Sequence, residues 1–181
     1  PDGSRLAYST AGGVRVFDVV LQEEGGGVRR LSKLPAELAA AQALLFSSDA
    51  ARLVCLSADG QVQIVDLLDR ELLATLTLPA LEVPEPRTVP LLAASSDFQW
   101  VAVTHDLDVH VFNMDSLRLH CTLPRQPTQH TAMAFVPNSC HLVTALTSRE
   151  VHIFDVEGGE PTAWSAKNSR SLPAAWLERR D

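Results

Sequence analysis

A six-residue strand pattern occurs four times in this chain, and no other feature constrains the fold as strongly. Each copy reads apolar, polar, apolar, apolar, Asp or Asn, apolar, which is typical of a strand buried on one face and mostly buried on the other. The copies begin at Val14, Val62, Val109 and Val151, so they lie 48, 47 and 42 residues apart. Repeats of about 40–50 residues indicate the blades of a β-propeller.

The same neighbouring elements accompany each copy. An Asp or Asn lies four residues before the first apolar residue of a preceding strand, and a short turn-rich connection joins that strand to the repeated one as in a β-hairpin. The positions are Asp2, Asp49, Asp97 and Asn138. An earlier apolar strand precedes this turn in the last three copies, and a further strand follows the repeated one in the first three, most weakly at residues 28–31. Four antiparallel strands per unit form a propeller blade.

The predicted fold is therefore all-β, a WD40-like β-propeller with about four four-stranded blades of a larger ring. We assign the blades to residues 1–34, 35–80, 88–124 and 128–160, with residues 161–181 as a tail or the start of the next blade. The first copy lacks its first strand, so we expect the sequence to be a fragment that starts partway through a blade. The proline-rich segment from Leu81 to Pro90 is expected to be an extended surface loop.

Composition and charge narrow the classes of function. With 46% hydrophobic residues among 181, the chain can bury a sizeable core. A formal net charge of −7 argues against a nucleic-acid surface, which usually carries a concentrated basic face. The three cysteines include no C-x-x-C pair and are expected to be buried thiols in a reducing compartment. The longest apolar run falls short of the roughly 18 residues needed to span a bilayer, so we expect no membrane contact.

The Asp or Asn near the end of each repeated strand is a candidate site residue. One carboxylate per blade, with blades radiating from an axis, rarely converges on one metal ion. In WD-type blades this position is the Asp of the Trp-Asp dipeptide and belongs to local hydrogen bonding, which a buried carboxylate requires. We therefore predict structural roles, and no metal site, for Asp18, Asp66, Asn113 and Asp155.

The residue before that Asp or Asn is apolar in every copy and is predicted to fill the same inward position. It is valine in the second copy, at Val65, and phenylalanine in the others, where the WD dipeptide has Trp. The phenylalanines are Phe17, Phe112 and Phe154.

The sequence offers no motif for catalysis or cofactor binding. His110 and His152 share a repeat slot that holds Arg15 and Gln63 in the first two copies, so the slot is interpreted as a polar position of the blade rather than a metal ligand. The serines form no G-x-S-x-G elbow, and the glycines at 25–27 lack the phosphate-binding pattern. We predict a protein that is not an enzyme and takes no cofactor and no small-molecule substrate.

Two tryptophans, Trp164 and Trp176, follow the last repeat in a segment that does not continue the repeat pattern. Aromatic residues after a repeat array either cap its exposed end or bind a partner. Capping is the commoner outcome, so we predict that both tryptophans pack on the fourth blade or the blade after it. Partner binding is the alternative.

This segment also resembles the cirhin family of WD-repeat double propellers. The residues that carry the resemblance are Thr162-Ala163-Trp164-Ser165, Leu172-Pro173 and Trp176-Leu177, which are similar to the T-x-W-S and W-L elements after a late blade of that family. The blade residues before it, from Thr131 to Phe154, are similar as well. The resemblance covers about residues 128–181.

The resemblance implies a non-catalytic scaffold subunit of the small-subunit processome, which is nucleolar and acts in ribosome biogenesis and 18S pre-rRNA processing. The implied partners are other processome subunits, with pre-ribosomal RNA contacted indirectly through the complex. The alternative is a WD-repeat adaptor of another complex, such as a ubiquitin-ligase substrate receptor or a trafficking module.

Overall fold

The computed structural model describes residues 3–20, 27–30, 34, 38, 40–79 and 89–168. These residues form four antiparallel sheets whose strands pair in chain order, so the fold is all-β as the repeats predicted. Most of the proline-rich segment and all of Trp176 lie outside the described residues. No helix in the described part of the chain is long and apolar enough to cross a membrane.

Within the described residues, the first sheet has three strands and each of the others has four. Sheet 1 contains β1 (Arg5–Thr10), β2 (Gly13–Val20) and β3 (Gly27–Arg30). Sheet 2 contains β4 (Ala41–Phe46), β5 (Arg52–Ser57), β6 (Gln61–Asp66) and β7 (Glu71–Thr77). Sheet 3 contains β8 (Leu92–Ala94), β9 (Trp100–His105), β10 (Asp108–Asn113) and β11 (Arg118–Leu123). Sheet 4 contains β12 (His130–Phe135), β13 (His141–Leu146), β14 (Val151–Asp155) and β15 (Glu160–Pro161), and the helix α1 (Ala163–Asn168) follows.

The four copies of the repeated pattern are β2, β6, β10 and β14, and the weak strand candidate of the first copy is β3. Two elements were not predicted, β15 and α1. β15 has two residues, and the second is Pro161, which has no amide hydrogen to donate. α1 has six residues, too few to show a helical periodicity.

The chain divides into two compact units, residues 1–84 and 85–181. In the first unit β1 lies against β4, and a buried cluster draws on both sheets. Its members are Val14, Val16, Leu38, Leu53, Cys55, Val65 and Leu67. In the second unit β8 lies against β12, and a second cluster draws on sheets 3 and 4. Its members are Ala93, Trp100, Ala102, Val109, Val111, Leu123, Leu142, Phe154 and Val156.

The predicted inward position recurs in the strand register. In every sheet the residue before the Asp or Asn lies opposite the first apolar residue of the preceding strand. The pairs are Leu6–Phe17, Leu53–Val65, Val101–Phe112 and Leu142–Phe154. The pairs of sheets 2, 3 and 4 are almost wholly buried, whereas Leu6 in sheet 1 is 51% exposed.

Candidate functional site

The Asp or Asn of each repeated strand organises the turn that follows it in sheets 2, 3 and 4. The Asp66 carboxylate accepts hydrogen bonds from the backbone N–H groups of Leu68 and Asp69, at 2.8 and 3.1 Å. Asn113 Oδ1 accepts the equivalent two bonds at 3.1 and 2.8 Å. Asp155 Oδ1 accepts from the amide two residues later at 3.1 Å. Because an amide oxygen serves in sheet 3, the position requires a hydrogen-bond acceptor rather than a charge.

Among the described residues, Asp18 contacts two arginines. Its Oδ1 lies 3.2 Å from Arg5 Nε, and its Oδ2 lies 3.3 Å from Arg29 Nη2. Arg5 Nη1 also donates to the carbonyl oxygen of Ala50 at 2.6 Å, which ties sheet 1 to the turn before β5. These contacts of Asp18 are with arginines of its own sheet, and Arg5 extends the connection to the neighbouring turn.

A second recurrent turn, Ser-x-Asp, precedes β5 and β9. Ser47 Oγ donates to Asp49 Oδ1 at 2.5 Å, and the same carboxylate oxygen accepts from the amide of Ala51 at 3.0 Å. Ser95 and Asp97 repeat the hydroxyl bond at 2.5 Å. The serine hydroxyl is the main cause that lowers the pKa of each carboxyl, and a backbone amide adds to it.

A cleft of about 280 Å³ lies in the second unit, between the turn before β9 and the turn before β13. At one side of it Cys140 Sγ and carboxylate oxygens of Asp155 and Glu157 all lie within 4.8 Å of one another. Among the described residues, this group has ligand atoms close enough for one metal ion. Cys140 Sγ donates a hydrogen bond to Asp155 Oδ1 at 3.5 Å. This hydrogen bond is enough to explain why the thiol and the carboxylate lie close together without a metal ion. Sequence reasoning missed it, because Cys140 carried no signal that it would lie beside Asp155.

The three cysteines are free thiols with raised pKa values. Burial raises the pKa of Cys55 to about 12 and also raises the pKa of Cys121. The pKa of Cys140 is raised by burial and by the hydrogen bond and charge of Asp155. The thiolate is the reactive form, so these shifts disfavour nucleophilic chemistry at neutral pH.

The repeat slot shared by His110 and His152 is a polar position with little exposure. His110 is 4% exposed, and its Nδ1 lies 2.9 Å from Thr122 Oγ1. Gln63 is buried in the same slot of sheet 2. His105, which the repeat comparison did not single out, has its ring centroid 6.0 Å from that of His110.

Trp164 lies on α1 and is 50% exposed. The helix contacts β14 through Ser165, which is 1% exposed and accepts a hydrogen bond at Oγ from the amide of Ile153 at 3.2 Å. The described residues thus leave half of Trp164 uncovered, and its packing as a cap stays a prediction. The role of Trp176 also stays a prediction, because it lies outside the described residues.

Comparison with curated proteins identifies relatives across almost the whole chain, although no family model matches it. The chain is 33% identical over 184 aligned residues to the U3 small nucleolar RNA-associated protein 4 homolog of Mus musculus, and 34% identical to that of Homo sapiens. Each alignment covers 99% of this chain but 26% of the relative. The chain therefore spans about a quarter of the length of the curated relatives it matches.

Solved structures share the fold. The structure of U3-55K matches with a TM-score of 0.56 and 16% identity, over 66% of this chain and 37% of that one. The crystal structure of RRP9 WD40 repeats matches with a TM-score of 0.57 and 14% identity, over 87% of this chain and 42% of that one. The chain is thus homologous to a segment of the U3 small nucleolar RNA-associated protein 4 homologs, and its sheets are blades of the WD40-type β-propeller.

Proposed function

We propose that this chain is part of a non-catalytic scaffold that assembles the small-subunit processome for 18S pre-rRNA processing in the nucleolus. The observation that carries the proposal is the identity of 33–34% that runs through 99% of the chain to proteins associated with the U3 small nucleolar RNA. A scaffold works through its surface, and the raised pKa values of the thiols accord with a role that needs no nucleophile.

The surface chemistry favours protein partners over direct RNA binding. The net charge is −7, whereas affinity for nucleic acid depends on lysine and arginine that neutralise phosphates. Exposed apolar side chains of the kind found at protein interfaces are present on both units. They include Leu68 at 67%, Val89 at 78% and Trp164 at 50% exposure. Pre-ribosomal RNA would accordingly be reached through other subunits.

The test is affinity purification of the tagged protein from cells, with and without nuclease treatment. We expect processome proteins, U3 small nucleolar RNA and 18S precursor RNA to co-elute with the tagged protein. Proteins that contact the tagged protein directly should remain bound after nuclease treatment. As a control, Leu53→Asp disrupts the packing of sheet 2 and should abolish co-elution if folded blades make the contacts. Recovery of ubiquitin-ligase or trafficking subunits in place of processome subunits would favour the adaptor alternative and overturn the proposal.

A further inference from the structure

The outermost strand of sheet 4 is much shorter than those of sheets 2 and 3. β7 has seven residues and β11 has six, whereas β15 has two. In the part of the chain that the structure describes, β15 pairs only with Phe154 and Asp155 of β14. Beyond β15 the chain turns into α1, which lies against β14. The helix therefore takes the place that the rest of an outermost strand has in sheets 2 and 3.

Two hydroxyl residues, Thr162 and Ser165, fix α1 on sheet 4. The backbone N–H of Thr162 donates to the carbonyl oxygen of Ile153 at 2.9 Å, and the N–H of Ile153 donates to Ser165 Oγ at 3.2 Å. Thr162 also caps the helix, since its Oγ1 accepts the amide of Ser165 at 3.3 Å and its carbonyl oxygen accepts the amide of Ala166 at 2.9 Å. Both backbone hydrogen-bonding groups of Ile153 are thus engaged, so a partner's strand has no backbone groups to pair with at this residue.

Trp164 lies between these two residues in sequence but is presented to solvent. Ser165 is 1% exposed, whereas Trp164 is 50% exposed, and its neighbours Ala163 and Ala166 are exposed as well. The exposed half of the indole contributes no burial to the free chain, whereas tryptophan is enriched among the residues that contribute most to protein interfaces. Because α1 is already fixed, binding through this indole would order little further structure. The T-x-W-S element thus consists of two residues that hold the helix and one that is available to a partner.

The exposed charges directly before α1 are acidic. Glu157 and Glu160 are exposed, and among the described residues neither carboxylate forms an ion pair. Lys167 supplies one positive charge in the last turn of α1. Complementary charges on two proteins favour their encounter and disfavour surfaces of like charge. The segment around the helix is thus suited to a partner that carries lysine or arginine beside the pocket that receives the indole.

We propose that Trp164 anchors a contact between sheet 4 and another protein, which receives the indole in an apolar pocket bordered by lysine or arginine. The proposal rests on the proposed function where it takes that protein to be a subunit of the processome. The position of the contact rests on the geometry of α1 alone. The contact is made through side chains, because Thr162 and Ser165 already occupy the edge of β14 at Ile153.

The test is affinity purification of the tagged full-length protein, compared between the wild type and Trp164→Ala. We expect the variant to melt near the wild-type temperature and to recover at least one processome protein with a yield reduced about tenfold or more, as for an interface anchor. The matched control is Leu119→Ala, which truncates another exposed apolar side chain of the same unit, 43% exposed on β11. This control should leave the recovery of every processome protein unchanged.

The acidic charges are tested by a second variant that leaves Trp164 in place. The double variant Glu157→Gln, Glu160→Gln should reduce the recovery of the same partner several-fold at low salt. The difference from the wild type should shrink as the salt concentration rises from about 0.05 M to about 0.5 M, because salt screens exposed charges. Recovery equal to or greater than that of the wild type at low salt would show that the partner is not basic and would overturn the proposal.

Three further results for Trp164→Ala would overturn the proposal. Unchanged recovery of all processome proteins would do so and would leave the proposed function standing. A large drop in melting temperature would show that the indole is packed within the chain, and loss of self-association in sedimentation experiments would make a second copy the occupant. If the wild type instead recovers proteins of another complex and the variant loses one of them, the proposed function fails and the anchor role of Trp164 is supported.

Discussion

Leu142 and Phe154 lie opposite each other on β13 and β14, and both are almost wholly excluded from solvent. Phe154 belongs to the buried cluster that draws on sheets 3 and 4, together with Val109 and Val111 of β10. The pair therefore belongs both to the alignment of β13 with β14 and to the packing of sheet 4 on sheet 3.

Replacing Phe154 with Asp is expected to destabilise the chain by several kcal/mol, because a buried carboxylate would have no donors around it. The matched control is Val136→Asp, which introduces the same group at a position that is 37% exposed and should change the free energy of unfolding by only about half a kcal/mol. Urea unfolding measures both. Equal midpoints for the two variants would contradict the assignment of the inward position.

The Asp66 turn predicts a difference between two substitutions. Asp66→Ala removes the acceptor for two backbone amides and should cost about 0.5–2 kcal/mol. Asp66→Asn should cost much less, since Asn113 serves the same turn in sheet 3. Thermal or urea unfolding distinguishes the variants. A large loss with asparagine would show that the charge of Asp66, and not its acceptor oxygen, is what the turn requires.

The Ser95–Asp97 bond predicts an acid-dependent contribution to stability. The pKa of Asp97 is lowered, so the folded chain binds fewer protons than the unfolded chain. The contribution is present above the unfolded pKa of about 3.9 and is lost as the pH falls through the lowered folded value. Ser95→Ala should raise the pKa of Asp97 in an NMR carboxyl titration and leave that of Asp49, in the equivalent turn of sheet 2, unchanged.

Much of the fold was predictable because it repeats. The buried pairs of sheets 2, 3 and 4 follow from copies of one pattern, and the acceptor role of Asp66 and Asn113 follows from their common place in it. The contact between His130 and Leu107 was not predictable in that way, since the two residues are 23 apart in sequence and occupy no common repeat slot. Cys140 meets Asp155 across 15 residues for the same kind of reason.

Sheet 1 presents a face that the other sheets bury. Leu6 is 51% exposed and Tyr8 is 41% exposed, whereas Leu53, the equivalent of Leu6, is fully buried. Exposed apolar faces of this kind favour association, so we expect the isolated chain to self-associate at micromolar concentration. Leu6→Asp should reduce association in sedimentation experiments with little loss of stability, while Leu53→Asp should destabilise the fold. A monodisperse wild-type monomer would contradict this expectation.

Trp164 and Trp100 offer a test of whether the tail supports the fold or binds a partner. Trp100 is 6% exposed and belongs to the buried cluster of the second unit, so Trp100→Ala should cost about 3–5 kcal/mol. Trp164 is 50% exposed and its helix contacts β14 through Ser165, so we expect Trp164→Ala to cost about 1 kcal/mol or less.

Tryptophans that anchor a partner are instead costly to remove from the complex. Melting and co-purification with processome proteins, measured on the same variants, separate the two roles. From its exposure we expect Trp164→Ala to melt near the wild-type temperature and to weaken association, whereas a large drop in melting temperature would support the capping prediction instead.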